Sequence, residues 1–565
     1  MSKHFPAALY LPPDAFDVAS NQVIGRRIAG RLLSRAFAQQ LQQGEILTLF
    51  SPGQGAVQAV TELLVGSTAV EGTVRVGGDP DPSVLMDIGA IHFPDPLIGA
   101  WSRLRSGLPS TAFSLTGVIH TVCSDSVLRG LGEIPLAPLY PWDAVVCTST
   151  AGRSVVANAL EQRLEAVAAR FGLDQPHGLA VGLPELPVIP LVSDVQQPYQ
   201  PELSRCQRRQ HARQALGISA EAFVVAFVGR LSFHSKCHPL SLYRALDAIA
   251  ADPSAPPVLL IECGHIYNTS IAAAYDELRS HFPRLEFRLI GGLQPAPESE
   301  KWQVLAAADV FTSPADNLQE TFGLTLLEAM AAELPLVVSD WNGYRDLVEH
   351  GRNGFLVPTL DVLAGLSEPD DIETRYASGQ LSYDLMIGLR SFGVILDHES
   401  YIAAFQTLLE QPRIRQQMAS ASLEILGQRF SPVAVVRAYR QLWGLLADRR
   451  LQAANSSEPE SILPPLKPSY GRLFRHYATQ ELRKDSLRPI SAPQGCDVVN
   501  SLMNQSMLQT LSAGRLSQVL ALLQQGQSLS CELIQATGLT EVQALYVLAA
   551  LHKLGFTCAA ELDID

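Results

Sequence analysis

The sequence predicts two successive α/β domains, each built on a parallel sheet, followed by a small helical unit. Three observations carry this. From the N-terminus to about residue 395, short apolar runs alternate with amphipathic helical segments. One run, Phe223-Val-Val-Ala-Phe-Val-Gly-Arg-Leu231, is apolar at nearly every position, as a strand covered on both faces must be. Several runs end in glycine followed by polar residues, and the C-terminal ends of strands are where doubly wound sheets take ligands.

The whole chain sets bounds. At 565 residues it is too long for one core. Hydrophobic residues make up 47% and charged residues 17%, a globular composition and not a disordered one. A net charge of −14 argues against nucleic acid as a partner of the chain as a whole. Eight cysteines are scattered without a Cys-x-x-Cys pair, so neither a zinc site nor a disulfide framework is implied and a reducing compartment is expected. Met1-Ser-Lys-His-Phe-Pro-Ala7 has no apolar signal core, and no apolar run reaches about 18 residues. A cytosolic protein is expected, with peripheral membrane contact left open.

Residues 1–200 form the first expected domain. Asn21 to Leu33 reads as a loop entering an amphipathic helix, with Ile24, Ile28, Leu32 and Leu33 as its apolar stripe and Arg26, Arg27 and Arg31 beside it. Gly25 at its start would let backbone approach a phosphate or an acceptor; a plain turn glycine is the competing reading. Ile46–Phe50 and Asp87–Phe93 are strands, the second running into the polar loop from His92 to Asp95. Ala112–Val122 is a strand carrying a glycine and His120 at its end, which makes His120 a candidate for the cleft and otherwise a core histidine bonded to backbone. Asp143–Ser149 is another strand, and Leu186–Asp194 the last of this domain.

A charged connector with Arg205, Arg208, Arg209 and Arg213 leads to the second domain, residues 201–395. The run from Phe223 delivers Gly229, Arg230 and then Lys236 to its C-terminal end, where two cations beside a glycine suit a diphosphate. Pro257–Gly264 and Leu285–Gly292 are further strands ending in glycine, and Leu336–Asp340 follows. Between them lies the most informative stretch, Asp316-Asn-Leu-Gln-Glu-Thr-Phe-Gly-Leu-Thr-Leu-Leu-Glu-Ala-Met-Ala331 with its preceding strand near Val310. Leu324, Leu327, Ala331 and Leu334 recur at helical spacing, so a helix starts near Gly323. Its N-terminus offers free N–H groups and partial positive charge to a phosphate. Glu320 stands before it, and Glu328 lies about 6 Å further along. A pair of solvated surface glutamates is the alternative. Residues 361–393 read as an irregular insertion, 396–450 as helices, and 451–490 as linker. Within 491–565, Ser530–Gly538 and Thr540–Gly555 are similar to a winged-helix type of helix-turn-helix. That second helix is poor in cations, which favours protein interaction or dimerisation over DNA.

With these residues in view, residues 1 to about 450 resemble the retaining glycosyltransferases of family 4, which have the GT-B architecture of two Rossmann-like domains facing across a cleft. The resemblance rests on Phe227-Val-Gly-Arg-Leu231 with Lys236, on Ala308-Asp309 and Ser313-Pro314, on Glu320-Thr-Phe-Gly-Leu-Thr-Leu-Leu-Glu328, and on Gly351-Arg-Asn-Gly-Phe-Leu-Val357. The N-terminal half matches more weakly, through Gly25, Thr116 to His120 and Cys147-Thr-Ser149, and the last hundred or so residues lie outside it. It implies a nucleotide diphosphate sugar donor, most often a uridine diphosphate sugar, and no metal or other cofactor. It implies that Gly229, Arg230 and Lys236 take the diphosphate, that Glu328 takes the ribose hydroxyls, and that backbone at Phe322, Gly323 and Leu324 meets the donor. Glu320 would contact the hexose, and His120 the anomeric centre and acceptor. The helices at 396–450 would pack back on the N-terminal domain.

Three positions depart from the family pattern. Arg230 to Lys236 is one residue longer, so Ser232–Ser235 must bulge; Glu333 stands where glycine is usual; Asp346 replaces a common glutamate. The leading expectation is a retaining, metal-independent transferase with an unknown acceptor, and residues 491–565 are its expected route to a partner or to a homo-oligomer. The alternative is a glycosyltransferase-like scaffold without catalysis.

Overall fold

The computed structural model describes residues 3–16, 25–53, 55–65, 72–173, 182–193, 199–365, 371–456, 463, 470–477, 487–489 and 557–559. Two compact units result, Met1–Leu466 and Lys467–Asp565. In the second unit the described elements are the helical turns Tyr470–Leu473 and Arg475–Tyr477 and an antiparallel pairing of Leu487–Pro489 with Thr557–Ala559. The helix-turn-helix expected at 530–555 lies outside the described residues.

The first unit holds two parallel sheets of the same winding. In the first lobe the strands are β1 (Lys3–His4), β2 (Ala8–Tyr10), β3 (Glu45–Phe50), β4 (Thr73–Gly77), β5 (Ala90–Phe93), β6 (Ser114–Val118) and β7 (Ala144–Val146). Both β1 and β2 pair with the side of β3 opposite β4, and Pro6, lacking an N–H, interrupts the ladder between them. In space the order is β4, β3, β1 with β2, then β5, β6 and β7, every pairing parallel. The winding reverses between β2 and β5.

Of the strand expected at Leu186–Asp194, the described residues 186–193 form none. Pro187 and Pro190 cannot donate to a ladder, and only single bridges, Ala144 to Glu185 and Cys147 to Val188, tie the segment to β7. The strand expected at Ala112–Val122 narrows to β6.

The second lobe has β8 (Phe223–Val228), β9 (Val258–His265), β10 (Glu286–Gly292), β11 (Val310–Ser313), β12 (Leu336–Ser339) and β13 (Gly354–Val357), in the order β10, β9, β8, β11, β12, β13 and all parallel. The apolar run of β8 has a simple cause. Val224, Ala226 and Val228 pack with Leu326 and Met330 on one face, while Phe223, Val225 and Phe227 pack with Leu242 and Leu246 on the other. Each such Val or Phe contributes about 1.5–3 kcal/mol by leaving water.

The connector arginines are structural. Arg205 and Arg213, on the helix Arg205–Leu216, donate to the carbonyls of Ala306, Ala308 and Ala307 at the end of the helix Glu298–Ala307, and Arg213 also pairs with Asp309 at 2.7 Å. They satisfy helix carbonyls that have no internal partner.

Two expectations need correction. The insertion carries regular elements among its described residues: β14 (Thr359–Asp361) and β15 (Val394–Leu396) pair antiparallel, and the helices Asp371–Ala377 and Tyr383–Ser391 lie between them. Its periodicity was masked because Leu385 and Leu389 are exposed while Met386 and Ile387 are buried. Of the segment 396–450, the helices His398–Glu410 and Pro412–Ile425 pack on the second lobe through Tyr401, Phe405, Leu408 and Met418. Only Pro432–Ala454 returns to the first lobe, where Tyr439 and Trp443 meet Phe37 at centroid distances of 5.3 and 5.5 Å. The cause is the sequence of that last helix, whose apolar stripe fits the Phe5 and Phe37 surface. The chain crosses between lobes at Ser193 and again at Phe430, and the Ser193 N–H donates to the Phe430 carbonyl at 2.8 Å. The lobes present their strand C-termini to each other, which is the GT-B arrangement. Among the described residues no helix is long and apolar enough to cross a membrane.

Candidate functional site

In the second sheet the winding reverses between β8 and β11, so a crevice opens beyond their C-terminal ends. From β8 come Gly229 and Arg230. The chain then makes a turn in which the Lys236 and Cys237 N–H groups donate to the Ser232 carbonyl at 3.2 and 3.4 Å, and the Ser235 hydroxyl donates to that of Ser232 at 2.9 Å. The extra residue between Arg230 and Lys236 is absorbed in this turn. Lys236 points inward, and its Cε would lie 3.3 Å from a Cβ at Gly229, so a side chain there would press on the lysine stem.

From β11 comes the loop carrying Glu320. Lys236 Nζ donates to Glu320 Oε2 at 2.6 Å and to the Tyr344 hydroxyl at 3.3 Å. Burial alone would depress the lysine, but the Glu320 carboxylate outweighs it and holds Lys236 above its usual range. Burial would likewise raise Glu320, and Lys236 reverses this, leaving the carboxylate below its usual range. Both groups are therefore charged at neutral pH. Arg230 is exposed, reaches Gln319 Oε1 at 3.2 Å, and lies close enough to favour the Glu320 anion.

The helix Leu324–Ala331 begins where the sequence places it, and Gly323 makes that start possible. Gly323 has φ +112°, and a Cβ there would lie 2.6 Å from Tyr344 Cε1. Phe322 is buried against Phe430, and its N–H donates to Glu320 Oε1 at 3.3 Å. Past it, the Leu326 N–H donates to the Gly323 carbonyl at 3.0 Å, while the N–H groups of Leu324 and Thr325, the first two of the helix, lie too early in it for a helical partner. Glu328, on the next turn, meets Lys301 Nζ at 2.7 Å. Burial raises the Glu328 pKa, against the pull of Lys301. Lys301 was not legible as a site residue. It lies on the helix Glu298–Ala307, with nothing local to separate it from a solubilising lysine.

The first lobe contributes His120, just beyond β6. The Thr321 hydroxyl donates to the His120 carbonyl, and the Ser149 hydroxyl donates to the Thr321 carbonyl at 2.8 Å. The residue next to Glu320 is thus fastened to the opposite lobe. Asp346 accepts from the Thr150 N–H at 2.5 Å and from its hydroxyl at 2.6 Å, placing an anion across the cleft at the start of the helix Thr150–Phe171, whose own cap is Ser149. Tyr383, from the insertion, meets Cys123 Sγ at 3.1 Å. Burial lowers the His120 pKa to about 3, so the ring is neutral. Gly25 opens the helix Gly25–Gln39, exposed and with open space around it; Arg26 beside it pairs with Asp14 at 3.4 Å and Asp95 at 3.7 Å. Gly229, Arg230, Lys236, Glu320, Phe322, Gly323, Leu324 and Glu328 thus cluster at one crevice. His120 reaches it through Thr321, and Gly25 stays on the first lobe. Among the described residues no group of three or more His, Cys, Asp or Glu side chains is placed to hold a metal ion.

Residues 222–368 match the family model described as glycosyl transferases group 1. Two similar curated proteins are D-inositol 3-phosphate glycosyltransferases. That of Corynebacterium urealyticum is 35% identical over 154 residues, which is 27% of this chain and 35% of the relative. That of Corynebacterium efficiens is 34% identical over 191 residues, 32% of this chain and 42% of the relative. The chain thus spans less than half the length of these curated relatives. Among solved structures, Anabaena HepE in complex with UDP aligns over 78% of this chain and 100% of its own, at 18% identity and a TM-score of 0.47.

Proposed function

We propose that this chain is a retaining glycosyltransferase that moves a hexosyl group from a nucleotide diphosphate sugar, with UDP-sugar as the first donor to test, to an acceptor held by the first lobe. The observation that carries the reading is the Lys236–Glu320 pair set between the end of β8 and the helix that starts after Gly323. The match of residues 222–368 to group 1 glycosyl transferases supports the same reading.

In this reading the diphosphate lies where β8 and β11 diverge. Lys236, Arg230 and the helix N-terminus supply fixed positive charge to the oxygen that gains charge as the sugar leaves, which lowers the barrier without a metal. Gly229 keeps the backbone low there. Glu320, already turned toward Lys236, contacts the hexose beside the phosphates, and Phe322, Gly323 and Leu324 line the donor's path. Glu328 accepts from the ribose hydroxyls, with Lys301 opposing the rise that burial imposes on its carboxyl. The acceptor enters past His120, and its proton passes to the leaving phosphate on the same face, so configuration is retained. The cysteines described are unpaired, which supports a reducing, cytosolic setting. Residues 491–565 serve partner docking or self-association.

The test is isothermal calorimetry with UDP and a panel of UDP-sugars, followed by donor hydrolysis. Binding of UDP with slow hydrolysis of one sugar supports the reading; no binding of any nucleoside diphosphate defeats it.

A further inference from the structure

A small, partly open cavity of about 30 Å³ lies in the first lobe, bounded by the helix Gly25–Gln39 and the ends of β2, β5 and β6. Leu9, Leu33, Phe37 and Leu191 line it together with His92 and His120, and no Asp, Glu, Lys or Arg does so among the described residues. Its size suits a group like a hydroxymethyl, a little above the space one water needs.

His92 gives this cavity a chemical preference. The residue is 4% exposed, and its ring is held edge-on between Tyr439 and Trp443 at centroid distances of 5.2 and 6.0 Å. Its Nδ1 lies 3.0 Å from Thr116 Oγ1. That hydroxyl donates to the Ile91 carbonyl at 3.2 Å and accepts from Trp443 Nε1 at 3.3 Å. Assigning the hydroxyl's one hydrogen to the Ile91 carbonyl makes Thr116 the acceptor from His92 and places the ring hydrogen on Nδ1. Burial, with His120 nearby, lowers the ring's pKa to about 3, so it is neutral at physiological pH. Nε2 therefore presents a lone pair, and it has no partner among the described residues. A purely structural ring would be better served by phenylalanine, which buries no unanswered acceptor.

We propose that this cavity is an acceptor subsite for an uncharged, hydroxyl-bearing group, whose O–H donates to His92 Nε2 while its carbon frame rests on Leu9, Leu33 and Leu191. The use as an acceptor subsite rests on the glycosyl-transfer reading; the cavity's preference for a neutral donor of a hydrogen bond does not. An anion meets a lone pair and no cation there, and an ammonium meets no carboxylate. His92 is then a specificity-determining residue, and the rest of the acceptor extends past His120 toward Thr321 and Glu320.

The experiment uses the full chain with ¹⁵N-labelled histidine and 2-propanol as probe, read by long-range proton–nitrogen correlation. His92 is expected as the Nδ1-protonated neutral tautomer, and 2-propanol moves its Nε2 resonance while acetate and isopropylammonium at equal concentration do not. His92→Asn, which keeps a donor toward Thr116 and removes Nε2, assigns the signal and weakens 2-propanol binding, read at the Leu33 methyls, by about tenfold. An Nε2-protonated tautomer, an Nε2 unmoved by the alcohol, or equal shifts from the charged isosteres overturns the proposal, the last two pointing to a buried water only. UDP calorimetry on the wild type decides the glycosyl-transfer reading separately.

Discussion

Lys236 and Glu320 meet at 2.6 Å with only 11% and 17% of their side chains exposed, so two formal charges are held together inside the crevice. Breaking a buried pair strands one charge, at a cost of about 3 kcal/mol. Lys236→Ala should therefore lower the melting temperature and weaken UDP binding by about ten- to a hundredfold, measured by calorimetry.

The same pair sets a pH dependence. Glu320 is held below its ordinary range, so its contribution is present above the ordinary carboxylate pKa and is lost as pH falls through its lowered value. Lys236 is held above its range, so its contribution persists below the ordinary lysine pKa and is lost only as pH rises through its raised value. The melting-temperature advantage of wild type over Glu320→Gln should be flat from the carboxylate range to the lysine range and shrink in acid. An advantage that grows in acid would contradict the assignment.

Burial raises the Glu328 carboxyl, and Lys301 at 2.7 Å opposes that rise. Lys301→Met should weaken UDP binding more at the acid end of a pH series than at the alkaline end, because without the cation burial raises the Glu328 carboxyl further. Glu328→Gln should erase most of the preference for UDP over 2′-deoxy-UDP, a loss of about tenfold in discrimination by competition calorimetry.

Gly323→Ala combines a left-handed backbone with a contact 2.6 Å from the buried Tyr344 ring. Denaturant unfolding should show a loss of about 2 kcal/mol or more, with UDP affinity falling in parallel. Unchanged stability would mean that the helix starts elsewhere.

Glu333 occupies a left-handed position, φ +58°, and its carboxylate pairs with the buried guanidinium of Arg208. Glycine would relieve about 1 kcal/mol of backbone cost. It would also leave Arg208 without its anion, which costs more. Glu333→Gly should thus lower stability, and adding Arg208→Met should recover it, as chemical denaturation can follow.

The sequence was most legible where chemistry is local. Gly229, Arg230, Glu320, Gly323 and Glu328 sit at a strand end or within one loop and helix, and β8 betrays itself because both its faces are covered. Legibility fails where a partner comes from far along the chain. Lys301 finds Glu328 across 27 residues, and Thr321 finds His120 across 201. Nothing in a local window distinguishes such a lysine or threonine from a surface one. Short strands such as β1, with two residues, carry too little periodicity to be read, and Pro187 and Pro190 show that an apolar run is no strand when its donors are missing.

Asp346 brings an anion from the opposite lobe to the start of the helix Thr150–Phe171, which Ser149 already caps. Separating the lobes therefore takes that anion away from the first helical N–H. An anion so placed is worth up to about 1 kcal/mol, a bias of up to roughly fivefold in the ratio of shut to parted molecules. That is enough to favour approach of the lobes before any substrate arrives, yet small beside the binding energy of a nucleotide. The Asp346 carboxylate thus acts as a weak spring between the lobes, drawing them together without locking them.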